Sequence, residues 1–172
     1  VCTFGKPASP HLCRGVCGEE HANKVLELNR LCRLEQLKAP LSYFVSYCLR
    51  ELSKCNLIIV SYSDTEMNHT GYIYQACNFL YTGETKSRTD KYTEGNKHSR
   101  HYDKEQDNRL RKIRSPKHRY VFFAVKNKKT KKLLLESLNY PVEPYPKGAN
   151  KTYKLGEFLQ PKVIHGQELE SI

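Results

Sequence analysis

At 172 residues the chain fits one domain and leaves little room for two, and Lys and Arg outnumber Asp and Glu 29 to 18 for a formal charge of +11. No apolar run approaches the ~20 residues of a membrane span and the first residues carry no signal-peptide pattern, so no membrane association and a cytoplasmic setting are expected. The charge excess is local: residues 86–132 hold 17 Lys and Arg against 5 Asp and Glu, and the rest of the chain nets −1. That describes a near-neutral globular domain with one basic segment, not a uniformly basic protein.

Residues 1–4 read as a short strand, and the chain opens inside it, so sequence is expected before Val1. The stretch to His21 looks irregular, broken by Gly5, Pro7 and Pro10. The seven cysteines are odd in number and too sparse for a disulfide scaffold, which favours reduced thiols. His11, Cys13 and Cys17 lack the second half of a tetrahedral zinc site, so no metal is expected there.

Residues 25–34 read as a strand. A polar connection leads to Pro40, suited to a first helical turn. Leu41, Phe44, Val45, Cys48, Leu49 and Leu52 recur at helical spacing, predicting an amphipathic helix over 40–54. The apolar run 57–62 is a buried central strand. A turn over 63–68 follows, then a short helix opened by Thr70-Gly71, in which Tyr72 and Tyr74 cannot share a face. Residues 80–83 begin another strand, and 120–125 form a second buried one. Residues 126–132 read as a lysine-rich turn before a short helix from Leu133. From Tyr140 the proline-containing tail is extended.

Strands alternating with helices predict an α/β (α+β) architecture: a mixed central sheet flanked by helices, parallel neighbours joined by right-handed crossovers, and a cleft at the strand ends. The first helix is expected to start directly after a strand, its amides facing that cleft. Residues 1–172 form one domain, with a basic insertion over 84–118 and the extended tail over 140–172.

Within the insertion, Lys97, His98, Arg100, His101 and Tyr102 place cationic and stacking groups together, as a nucleic-acid backbone and an unstacked base require. Arg109, Arg111, Lys112, Arg114, Lys117 and Arg119 continue the cationic stripe, and Tyr92 is a second stacking candidate. A solvated, functionless charge run is the plain alternative. A nuclease built on His98, His101 and Asp103 lacks a metal-binding pair on firm secondary structure.

One run is long and ordered: Ser63-Asp64, His69-Thr70-Gly71-Tyr72-Ile73-Tyr74-Gln75-Ala76, Asn78-Phe79 and Tyr81-Thr82-Gly83, preceded by Asn29-Arg30 and by Pro40 to Phe44. It resembles the bacteriophage Mom family, over residues 25–83 closely and more loosely through 92–125. The resemblance implies a GNAT-type acyltransferase fold and a transferase that adds a small group, Mom-type glycinamide or methylcarbamoyl, to the 6-amino group of adenine in DNA. It implies double-stranded DNA as partner, a small-molecule group donor, protection of phage DNA from restriction, and the cytoplasm of a bacterial host. It places Arg30, Ser42, Asp64 and Tyr74 in the active site. Asp64 would accept a proton from the weakly nucleophilic adenine amine, Tyr74 would donate to an oxyanion or leaving group, and Arg30 would pair with an anionic part of the donor. Without the resemblance, Asp64 reads as a turn former and Ser42 as a helix-start residue. GNAT enzymes that use acyl-CoA typically carry a glycine-rich loop before the helix; residues 33–40 contain no glycine, leaving Arg33, Lys38 and Ser42 to meet the donor. That donor is acetyl-CoA or another acyl or glycyl compound, and iron is an open requirement. Two alternatives stand beside this reading: an acyl-CoA-dependent N-acetyltransferase acting on another amine, and a non-catalytic nucleic-acid-binding module.

Overall fold

The computed structural model describes residues 1–34, 36, 38–92, 110–148, 160 and 162–165. In chain order these form β1 (Cys2–Gly5), α1 (Pro10–Cys17), a 3-10 segment (Glu19–Lys24), β2 (Val25–Leu31), α2 (Leu41–Leu52), β3 (Leu57–Asp64), α3 (Tyr72–Ala76), β4 (Leu80–Glu84), β5 (Arg88–Lys91), β6 (Leu110–Arg114), β7 (Lys117–Ala124), α4 (Lys128–Glu136) and β8 (Val163–His165). The fold is α+β, a mixed sheet flanked by helices.

Its five strands lie in the order β1-β2-β3-β7-β4, and β5-β6-β8 form a second, three-stranded sheet. Among the described residues only β2 and β3 are parallel, with α2 as their crossover; β7 enters antiparallel between β3 and β4. The expected mixed sheet is present, and the expected parallel crossover joins β2 to β3. β3 and β4 run in the same direction and lie on either side of β7, which pairs with both.

Other expectations shift. The region before His21 is helical: Pro10 occupies the first turn of α1, where its missing N–H has no intrahelical partner. β2 stops at Leu31 rather than residue 34, and residues 32–40 separate it from α2, so that helix does not follow the strand directly. The lysine-rich segment forms the first turn of α4, capped by the Asn127 side chain accepting from the amides of Lys129 and Thr130. The tail is irregular over 140–148 but holds the strand β8 further on.

Each sheet face carries its own core. Leu28, Ile59, Tyr120 and Ala124 pack under α2 and α3 with Val45, Leu49, Cys77, Phe79 and Tyr81. Val25, Ile58, Val60, Val121 and Phe123 pack against Val16 and Cys17 of α1 and Leu134 of α4. Ile58, Ile59 and Val60 have no exposed surface, and burying each such side chain is worth about 1.5–3 kcal/mol. Three consecutive buried aliphatics identify a strand covered on both faces.

Candidate functional site

The parallel pair is short. β2 and β3 pair only over Val25/Ile58, Leu26/Ile59 and Glu27/Val60. Beyond this point β2 stays with β1 and β3 stays with β7, so a notch opens between the carboxyl ends of the two parallel strands. The Ser61 hydroxyl reaches across it to the Leu28 carbonyl at 3.1 Å.

Alternation along β3 sends Ser61 and Ser63 to the α2/α3 face, and Tyr62 and Asp64 to the α1/α4 face. On the first face the Tyr74 phenol has Ser61 as its hydrogen-bonding neighbour. Its ring lies 5.5 Å from Phe79 and 5.3 Å from Tyr120. Burial pushes the phenol above its ordinary value despite the Ser61 bond, so Tyr74 is a neutral donor near pH 7. Tyr72, its neighbour but one, is exposed.

The short helix α3 is held by a specific backbone device. Gly71 sits at φ 70°, and a Cβ there would stand 2.5 Å from the Tyr120 ring. The Tyr120 hydroxyl donates to the Thr70 carbonyl, to which the Gln75 amide also donates at 2.7 Å. At the other end the Cys77 thiol donates to the Ser42 carbonyl at 3.3 Å and accepts from the Ser46 hydroxyl at 3.5 Å. Ser42 and Tyr74 are thereby joined through α3. Cys2 lies by Cys48 and Cys77; burial first, then these neighbours, push its thiol up to about 12, so it is not a nucleophile at neutral pH.

Asp64 is occupied on the opposite face. One carboxylate oxygen accepts from the Ser115 hydroxyl at 2.6 Å and from the Glu66 amide at 3.1 Å; the other lies 3.4 Å from the Lys117 ammonium. Burial pushes this carboxyl up, and those three partners outweigh it and hold the group below its ordinary range. Arg30 is exposed: the β1–β2 irregularity sets Thr3 opposite Arg30 and Cys2 opposite Leu31. Leu31 packs into the α2/α3 core, so alternation turns Arg30 away from it. The four sequence candidates thus divide into Ser42 with Tyr74, and Arg30 and Asp64 on the other face.

Arg33 donates to the Ala39 carbonyl at 3.0 Å and closes the 32–40 connection, on which Lys38 is exposed. Beside it lies a groove of about 390 Å³, lined by Arg33, Leu34, Pro40, Tyr43, Phe44 and Tyr47 among others.

The cationic residues fall in three places. Arg111, Lys112 and Arg114 lie on β6, where the Arg114 guanidinium donates to Asp90 at 2.9 Å. Lys117 and Arg119 belong to β7 of the central sheet. Arg119 donates to the Thr82 hydroxyl at 2.9 Å and carbonyl at 2.7 Å, with its guanidinium 3.4 Å from the Tyr140 ring centre. Lys97, His98, Arg100, His101, Tyr102, Asp103 and Arg109 lie outside the described residues, while the Tyr92 amide donates to the Leu110 carbonyl at 3.2 Å.

Sequence reasoning passed over a cluster next to Tyr74. His118 is 9% exposed on the α2/α3 face of β7. Its Nδ1 lies 3.0 Å from the Tyr81 hydroxyl and 3.4 Å from a Glu84 carboxylate oxygen. Directly across the strand pair is Ser63, 8% exposed. The signal was present: His118 alternates with Tyr120, Phe122 and Ala124, a polar residue on an otherwise apolar strand face, but it stands between Lys117 and Arg119 and reads as part of the cationic stripe.

Among the described residues no group of three or more His, Cys, Asp or Glu side chains is arranged to hold a metal ion. All seven cysteines are free thiols. Among the described residues no helix is long and apolar enough to cross a membrane. Comparison with curated proteins gives no match. The Mom protein family matches residues 1–147, well over half of the chain. With the notch and the buried phenol both inside that matched span, the chain belongs to the Mom protein family, whose province is the modification of phage DNA.

Proposed function

We propose that this protein is a transferase that places a small acyl-type group, of the Mom-type glycinamide or methylcarbamoyl kind, on the 6-amino group of adenine in double-stranded DNA. The observation that carries this reading is the notch between β2 and β3, with the neutral Tyr74 phenol beside it. The diverging strands leave backbone groups without a sheet partner at the place where α3 presents a hydrogen-bond donor. The amine lone pair of adenine is delocalised into the ring, so transfer needs a donor to the developing oxyanion and a proton acceptor for the amine. Tyr74 supplies the first. The sheet order, with one parallel pair splitting at its carboxyl end and an antiparallel strand inserted beyond it, is in keeping with a GNAT-type arrangement.

The groove lined by Arg33 and the first turn of α2 is the natural place for the group donor, acetyl-CoA or another acyl or glycyl compound. Its aromatic and aliphatic lining suits the body of such a molecule, and Arg33 in that lining, with Lys38 on the same 32–40 connection, suits an anionic end. No step is routed through iron, since the described residues provide no ligand set. A base inside a duplex is out of reach of the notch, so the target adenine must be extruded.

The second sheet supports DNA as the partner. Strand alternation puts Arg88, Lys112, Arg114, Val163 and His165 on its more exposed face with Asp90 as the acidic residue. The β6–β7 corner is pinned to the end of β3 by Ser115 on Asp64 and by the Thr65 hydroxyl donating to the Pro116 carbonyl at 2.8 Å, which couples the cationic face to the notch edge.

DNA from cells expressing the protein tests this reading by restriction digestion. A bulky group on the adenine 6-amino position blocks major-groove readout. Resistance to nucleases whose sites contain adenine, with normal cutting at sites of G·C pairs only, is the expected result. Equal cutting at both classes of site contradicts it.

A further inference from the structure

The geometry points to His118 as the proton acceptor of the transfer, with the Ser63 hydroxyl binding a polar atom of the bound reactant. This inference rests on the transferase reading and names a group that the reading left open.

The first observation is how His118 is held. Residues three apart on a regular strand point to opposite faces, yet Tyr81 and Glu84 both reach the same imidazole nitrogen. They do so because β4 is irregular between them, with Gly83 at φ 79°. The register returns with Glu84 opposite His118. A Cβ at position 83 would stand 2.7 Å from a Glu143 carboxylate oxygen, so the bulge needs glycine on two counts. A strand distorted to bring a carboxylate and a phenol onto one nitrogen fixes the orientation of the ring. Nδ1 is engaged by the Tyr81 hydroxyl at 3.0 Å with the Glu84 carboxylate 3.4 Å away, and in the tautomer that carries its proton on Nδ1 the lone pair sits on Nε2.

The second observation is Ser63. Its hydroxyl oxygen is buried and has no hydrogen-bond partner among the described residues. Leaving a buried hydroxyl unsatisfied is costly, and a side chain that persists in that state marks a place where another polar atom belongs. Directly opposed residues on one face of an antiparallel pair have Cβ atoms about 4.5–5.5 Å apart, so Ser63 and His118 face one small volume. Ser61 and Tyr120, the next opposed pair inward, are the residues against which Tyr74 packs. His118 is therefore one strand repeat from the proposed oxyanion donor.

The step is an acyl transfer from an acyl thioester to an amine. The amine nitrogen attacks the thioester carbonyl, the N–C bond forms, and the C–S bond breaks with its electrons passing to sulfur. The proton lost by nitrogen goes to Nε2 of His118, and the resulting imidazolium, stabilised by Glu84, returns it to the thiolate. Asp64 is a poorer acceptor: its oxygens are engaged and its carboxyl is held below the ordinary range.

Permeabilised cells expressing the full chain, which keep their own group donor and DNA, provide the assay, read as modified deoxyadenosine by mass spectrometry between pH 5.5 and 8.5. The titratable groups facing His118 are Tyr81 and Glu84 of β4, with Glu143 acting on Tyr81. His118→Ala is expected to lower the yield about 10²-fold or more, with added imidazole restoring at least tenfold. Glu84→Gln keeps a side chain of the same size at a half-exposed position beside Nδ1 and is expected to lower the yield about tenfold with the melting temperature unchanged. Ser63→Ala is expected to lower the yield and, unlike His118→Ala, to gain nothing from added imidazole. A wild-type yield of zero overturns the transferase reading and this inference with it. Modification by the wild type with His118→Ala equally active, or inactive without imidazole recovery while its melting temperature is unchanged, overturns the His118 role alone.

Discussion

Asp64 and Lys117 face each other across the β3–β7 pair, 3.4 Å apart, where the second sheet joins the first. With Ser115 and the Glu66 amide on its other oxygen, Asp64 braces the corner that carries the cationic sheet. Lys117 is partly exposed, so the ion pair itself contributes little and the two hydrogen bonds contribute most. Asp64→Asn is expected to destabilise the protein by about 1–2 kcal/mol at pH 7. The folded carboxyl titrates below its ordinary value, so the stabilisation is present above 3.8 and is lost as pH falls through the lower folded value. Urea unfolding at pH 7 and pH 3 checks this; a difference between the two proteins that does not shrink on acidification contradicts it.

Tyr74 has the opposite character, a phenol whose ring is packed and whose hydroxyl meets Ser61. Tyr74→Phe keeps the ring contacts and is expected to cost about 1 kcal/mol of stability while lowering DNA modification about 10²-fold or more. Parallel thermal melts and modification yields separate the two effects. Full activity with the hydroxyl removed contradicts the proposed donor role.

Gly71 fixes where Tyr74 stands. Gly71→Ala adds a left-handed conformational penalty and a clash with the rigid Tyr120 ring, together about 2–4 kcal/mol. The melting temperature is expected to fall by roughly 5–15 °C. An unchanged melt shows that the turn before α3 is not under this constraint.

The exposed face of the second sheet is expected to hold DNA by its phosphates. Arg88→Glu with Lys112→Glu should weaken binding to a duplex and lower the magnitude of the slope of log affinity against log salt by about one per lost contact. Lys128→Glu with Lys129→Glu on α4 makes the same change in net charge and should have far less effect. Fluorescence anisotropy over a salt series measures both; equal losses from the two pairs would show that net charge alone, not this face, governs binding.

The buried strands, the amphipathic α2 and the short α3 were legible in the sequence because their apolar periodicities are unbroken. The strand order was not. β7 lies far along the chain from both strands it separates, and no local pattern records such a pairing. α1 was hidden by Pro10 and Gly15, which look like breakers although the proline sits where a helix tolerates it. The position of Tyr74 was legible through the resemblance and the helical period. That Asp64 faces away from it follows from strand alternation once the strand is known to run to residue 64. His118 was lost because β7 begins at Lys117, inside what reads as a charge run.

Mass spectrometry of nucleosides from the DNA of expressing cells tests the central claim most directly. The account predicts a deoxyadenosine species of increased mass, absent from cells lacking the protein and strongly reduced with Tyr74→Phe. Unmodified deoxyadenosine from cells that contain the folded protein, or added mass on another nucleoside, would contradict it.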